Sequence, residues 1–159
     1  MGDGLPDPLV DYANGVTMPQ LRSATVRWVD GMEFQTETGS GHKGVIDAAV
    51  KAGGKNHGPS PMELLLVGLA GCTGIDVVDI LRKKRLDVKG LEVRVEGTRA
   101  ETHPRVYTGI DVIYTVRGKN IPARAVEQAI HLSEDKYCGA GAMLAKTAKI
   151  NHRYEIVDA

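Results

Sequence analysis

Aromatic side chains are scarce in this sequence: one Trp, one Phe and five Tyr among 159 residues. A core built without them has to come from Val, Ile, Leu and Ala, with backbones brought close through the 19 glycines. The same scarcity argues against a stacking platform for single-stranded nucleic acid. Charge of one sign is lacking too, since 20 basic and 20 acidic residues balance to a formal net charge of zero. That balance gives no electrostatic reason to expect nucleic acid or an anionic membrane surface as a partner. It also leaves self-association unopposed.

Long apolar runs are missing as well. The longest, residues 64–75, is well short of the roughly 20 residues that a membrane span requires. No basic segment followed by an apolar run and a cleavage site marks the N-terminus, so no secretory signal is expected. Two cysteines are too few for the disulfide framework of a small secreted scaffold. A reducing cytoplasm is the expected setting.

The remainder reads as one α+β domain over residues 20–159, preceded by an irregular arm, residues 1–19, rich in Gly, Pro, Asp and Asn. Ala24, Val26 and Trp28 alternate with Thr25 and Arg27, giving a half-buried strand that ends at the turn signal Asp30-Gly31. Residues 32–38 return as a second strand, and 42–48 form a third. His42 and Asp47 are read there as satisfied strand polar groups. A glycine-rich loop then leads to Ser60-Pro61, an N-cap and first-turn signal, with Glu63 placed for a capping box.

The following helix is apolar on nearly every side to Leu81, which predicts burial all round. Gly68, Gly71 and Gly74 recur along it, each costing about 1 kcal/mol of helix propensity relative to Ala. Close approach of another backbone would offset that cost. The basic run 82–85 complements the helix dipole at its C-terminal end. Two alternating segments, 88–98 and 105–117, predict an antiparallel pair. Helices over 122–134 and 139–149 and a strand over 150–157 complete the order βββ-α-ββ-αα-β. A chain this short has little to cover an apolar helix on every face, which favours an intertwined dimer.

Chemistry centres on the two thiols. Cys72 lies mid-helix beside Gly71, and Cys138 opens the third helix, where the helix N-terminus favours a thiolate. The competing reading makes both small buried hydrophobes. The five His show no ligand spacing for a metal. No phosphate-binding loop, dinucleotide fingerprint or nucleophile elbow is present.

The segment 60–66 running on to Ala70-Gly71-Cys72-Thr73, with Lys136-Tyr137-Cys138 and Gly141-Ala142-Met143-Leu144, resembles the OsmC/Ohr family (osmotically induced protein C, organic hydroperoxide resistance). It is most similar to the family's YhfA-like branch. The resemblance spans about residues 24–157. It implies antiparallel sheets around a long buried central helix in an intertwined homodimer, and reduction of organic hydroperoxides to alcohols without metal or other cofactor. Cys72 would be the peroxidatic thiolate; its sulfenic acid would condense with Cys138, and a dithiol donor would reopen the disulfide. The family's supporting Glu and Arg map less directly. Aligning Pro61 and Cys72 puts Met62 at the Glu position with Glu63 one place along, and Arg27, with Arg22, is the nearest Arg. That departure keeps open a hydrophobic small-molecule-binding or redox-sensing protein of the same fold.

Overall fold

The computed structural model describes residues 21–159; the irregular arm expected over residues 1–19 lies outside them. The chain divides in sequence between Ser60 and Pro61 into two compact units.

In the first unit, β1 (Ala24–Asp30), β2 (Glu33–Thr38) and β3 (Lys43–Ile46) form an antiparallel sheet in sequence order. Gly31 makes the first turn with φ at 54°, a left-handed conformation that glycine adopts at little cost. The Trp28 indole N–H donates to the Gly31 carbonyl at 3.0 Å and fastens the strand to its turn. β1 was expected to be half-buried, yet every one of its residues is exposed in the single chain, Trp28 to 67%. Asp47 follows β3 and is only 2% exposed. Its carboxylate accepts from the backbone N–H groups of Ala48 (2.7 Å), Lys55 (2.9 Å) and His57 (3.2 Å). Desolvation raises its pKa, but the three donors together outweigh that and hold the carboxyl below its ordinary value. Asp47 therefore organises the glycine loop after the strand.

In the second unit, α1 (Pro61–Lys83) starts at its proline as expected and is followed by β4 (Val88–Arg99) and β5 (Tyr107–Gly118). Next come α2 (Ala123–Leu132), a π-type turn (Ser133–Tyr137), α3 (Gly139–Leu144) and β6 (Lys149–Val157). β5 is the central strand: β4 pairs with it antiparallel, and β6 pairs with it parallel. The sheet is thus mixed where antiparallel pairing was expected. A parallel neighbour needs a long crossover, which α2, the π-type turn and α3 provide.

The core joins Ile110, Val112, Tyr114 and Val116 of β5 to Leu69, Val77 and Leu81 of α1 and to Val126, Ala129 and Ile130 of α2. On α1 the buried set is Leu69, Thr73, Val77 and Leu81, one stripe at four-residue spacing. Burial all round does not occur within one chain: Leu64, Leu65, Val67 and Ile75 are exposed, Ile75 to 72%. By length and composition alone α1, which holds an 18-residue stretch of mean hydropathy 2.0, would suffice to cross a membrane. The shorter apolar run seen in the sequence ends at Ile75, before Asp76, whereas the helix continues to Lys83. Its basic end is engaged locally, Lys83 with Asp79 at 2.6 Å and Lys84 with Gln128 at 2.9 Å.

The glycine ridge is open on the single chain. A Cβ added at Gly68 or Gly71 would meet nothing within 4 Å, and one at Gly74 would touch Val93 at 3.4 Å. An apolar groove of about 810 Å³ runs along this side, between Val67, Gly71, Gly74 and Ile75 of α1 and Leu91 and Val93 of β4.

Two helices end earlier than their periodicity predicts. α2 stops at Leu132, where the next turn widens so that the Cys138 N–H reaches the Ser133 carbonyl at 2.8 Å. α3 stops at Leu144, where the bonds from Lys146 to Met143 and from Thr147 to Leu144 tighten the chain into an i+3 turn.

Candidate active site: a thiol pair with polar neighbours

Cys72 and Asp76 stand one turn apart on the same side of α1. The π-type turn delivers Cys138 to them from the other side. The two sulfurs and an Asp76 carboxylate oxygen all lie within 4.8 Å of one another. Cys72 is half-buried and Cys138 is 5% exposed; both are free thiols. The structure thus brings together the two cysteines singled out in the sequence, 66 positions apart.

Cys138 caps α3, its sulfur accepting from the Gly141 N–H at 3.2 Å. That bond favours the thiolate, as expected of a helix N-terminus. Burial outweighs it, however, and with the neighbouring Cys72 pushes the Cys138 thiol up to about 11. The N-terminal advantage expected for Cys138 is therefore overridden, since one N–H of a six-residue helix does not replace the water lost on burial.

Polar groups that sequence reasoning passed over surround the pair. The Ser133 hydroxyl donates to the Asp76 carboxylate at 2.8 Å and lies 3.0 Å from the Thr73 hydroxyl. Thr73 in turn is 2.8 Å from the Tyr114 hydroxyl, and Tyr114 is 3.0 Å from Nδ1 of His152. His152 Nε2 faces Glu134 at 3.8 Å. Burial lowers the His152 pKa and raises that of Tyr114 to about 12. A pocket of about 140 Å³ opens beside these groups, with Leu69, Cys138, Glu134 and His152 in its wall. The signal available in the sequence was Thr73 and Asp76, two polar residues within the apolar middle of α1, residues 64–78.

Arg27 and Glu63 stand differently. Arg27 belongs to the first unit, on β1, where its guanidinium donates to Glu37 at 2.9 Å. Glu63 is exposed in the first turn of α1, nine residues before Cys72. Nine residues at about 100° each amount to two and a half turns, so Glu63 leaves the helix on the side opposite Cys72. Within one chain, the helix does not bring it to the thiols.

Two groups of donor atoms could hold a metal ion among the described residues: Cys72, Asp76 and Cys138, and Glu33, Asp47 and His57. In the second, the Asp47 oxygens already accept three backbone bonds, and His57 Nδ1 lies 2.7 Å from Glu33.

Fold and site together define an α+β protein with a thiol pair held between a central helix and a crossover turn. Residues 53–153 match the family model described as OsmC-like protein, and the chain belongs to that family. It is 43% identical over 136 residues to Protein YhfA of Escherichia coli K12, covering 86% of this chain and 98% of that one. A protein of Aquifex aeolicus, described as hypothetical, shares 30% identity and superposes with a TM-score of 0.78 over 88% of this chain and 98% of that one. The organic hydroperoxide resistance protein OsmC of Legionella pneumophila shares the fold at 13% identity, with a TM-score of 0.67 over 87% and 99% of the two chains.

Proposed function

We propose that this protein is a thiol peroxidase that reduces organic hydroperoxides to alcohols. The observation that carries the reading is the approach of the Cys72 and Cys138 sulfurs to within 4.8 Å of each other, beside a carboxylate. The Legionella protein of the same fold, named for organic hydroperoxide resistance, supports it. Cys72, the less buried thiol, attacks the peroxide O–O bond and takes one oxygen as a sulfenic acid, while the other oxygen leaves in the alcohol. Cys138 then displaces the sulfenic oxygen as water and forms the disulfide. A dithiol donor reopens it by exchange, which suits a reducing cytoplasm. No metal or organic cofactor enters these steps.

The working unit in this reading is a homodimer. Its support is the open glycine ridge, the 810 Å³ apolar groove and the exposed Val67 and Ile75, which a second copy would cover. Arg27 and Glu63 assist Cys72 in this reading only where the second chain supplies one of them. A second reading, a binder of small hydrophobic molecules or a redox sensor, is favoured by the pocket at Cys138 and by a thiol that stays protonated at neutral pH.

The test is intact mass and free-thiol count after one equivalent of cumene hydroperoxide without reductant. Loss of two hydrogens with Cys72 joined to Cys138, abolished in Cys72→Ser, supports the peroxidase. Unchanged mass with both thiols free rejects it in favour of the second reading.

A further inference from the structure

A bound cation needs donors that the fold has already gathered. On α1, Cys72 and Asp76 are four residues apart, a spacing that stacks both side chains on one face of a helix. Cys138 arrives after the π-type turn, so the three donors form a clasp between two separate segments. One ligand atom from each lies within 4.8 Å of the other two. No fourth Cys, His, Asp or Glu among the described residues lies that close to all three. Tetrahedral zinc, with Zn–S about 2.3 Å and Zn–O about 2.1 Å, holds neighbouring donors about 3.6–3.8 Å apart. Reaching that spacing from 4.8 Å takes at most about 1 Å per pair, a side-chain adjustment.

Two of the donors are also aimed by hydrogen bonds. Ser133, fully buried, donates to Oδ2 of Asp76 at 2.8 Å, and the Gly141 N–H donates to Cys138 Sγ at 3.2 Å. Such partners fix the direction of a ligand and tune its charge when a metal is bound. The 140 Å³ pocket reaches Cys138 and gives a cation a way in, with room for a water as fourth ligand. Donor type narrows the choice of ion. Two sulfurs disfavour magnesium and calcium, which take oxygen ligands, whereas sulfur with one carboxylate oxygen suits zinc. The group of Glu33, Asp47 and His57 has no sulfur, and its Asp47 oxygens already accept from three backbone N–H groups.

We propose that Cys72, Asp76 and Cys138 form a binding site for a thiophilic divalent cation, zinc above all. Coordination takes up a lone pair on each sulfur, with the thiol proton released to solvent. A loaded site therefore neither reacts with an alkylating agent nor closes a disulfide, and the metal-free and loaded forms are alternative states of the same three side chains. The site stands on these donors and not on the peroxidase reading, which hydroperoxide consumption by metal-free protein tests separately.

Cobalt(II) chloride added to the reduced, metal-free full chain reports the site directly. Tetrahedral cobalt(II) with sulfur ligands shows strong visible bands and a sulfur-to-cobalt charge-transfer band, whereas hydrated cobalt(II) absorbs only weakly. One equivalent per chain is expected to develop these bands, and one equivalent of zinc chloride to abolish them. Cys72→Ala should lose them, with circular dichroism checking that the variant is folded. Competition against a chelating dye then measures zinc affinity. Ser133→Ala should weaken it about 10-fold and Asp76→Asn about 100-fold, the two ends of the range for disturbing a metal site. Asp76→Asn keeps both thiols, so an affinity equal to wild type would show that a bare dithiol suffices and would overturn the three-donor site. Wild type without the bands, or bands unchanged in Cys72→Ala, would overturn it as well.

Discussion

The Tyr114 hydroxyl lies 3.0 Å from Nδ1 of His152, and the two rings stack with centroids 5.9 Å apart across adjacent parallel strands. Tyr114 is wholly buried, so its hydroxyl has no solvent alternative to His152 and Thr73. Tyr114→Phe leaves both partners short of a bond at almost unchanged volume. The expected loss is about 1–3 kcal/mol of stability, the usual cost of an orphaned buried polar group. Urea unfolding of the variant against wild type measures it; an unchanged midpoint would show that the hydroxyl contributes little.

Stability should decline at both ends of the pH scale. Burial holds His152 below its ordinary 6.5, so the unfolded chain takes up a proton there first, and stability falls as pH drops from about 6.5 through the folded value. Cys138 is raised from 9.0 to about 11, so the unfolded thiol ionises first, and stability falls as pH rises between those values. Tyr114, raised from 10.0 to about 12, adds to the alkaline loss. Denaturation midpoints from pH 5 to 11 should therefore trace a dome, and Cys138→Ala should flatten its alkaline side.

Gly97 on β4 gives the Tyr107 ring its place. A Cβ there would stand 2.5 Å from Cε1 of that ring, which is itself 4% exposed. Gly97→Ala must displace the ring and with it the 2.8 Å hydrogen bond from Tyr107 Oη to the Met62 carbonyl at the start of α1. A cost of about 1–3 kcal/mol is expected, as for overpacking elsewhere. Gly97→Ala with Tyr107→Leu should recover part of it.

On the outer side of α1 the expectation is reversed. Gly71 has nothing within 4 Å of an added Cβ, so Gly71→Leu should leave the single chain folded, with unchanged circular dichroism. If the glycine ridge is the contact between copies, the same change should convert dimer to monomer by light scattering. A Gly71→Leu protein with the wild-type mass in solution would place the contact elsewhere.

How much of this was legible in the sequence depends on the range of each interaction. Pro61 announced α1, Asp30-Gly31 announced a turn, and the alternation in β4 and β5 set their pairing, all through neighbours a few residues apart. The parallel pairing of Ile110 with Ile150 was not legible, because nothing in either strand states which edge receives the other. The two cysteines were found because only two exist. The chain from Asp76 to His152 was missed because its contacts join residues 38 to 60 positions apart. Each member, read locally, is an ordinary polar residue. The widening of the chain after Leu132 was also hidden, since the sequence 133–137 carries no helix breaker.

That π-type turn also sets a tolerance. Its first residue grips Asp76 through a side chain and its closing N–H belongs to Cys138, so carboxylate and sulfur are referenced to the same five residues. Removing one residue there would advance Cys138 by about 100° on a regular helix and carry its sulfur away from Cys72. The spacing of the pair is therefore kept by a local gauge, and the surrounding helices and strands can diverge in sequence while that gauge holds.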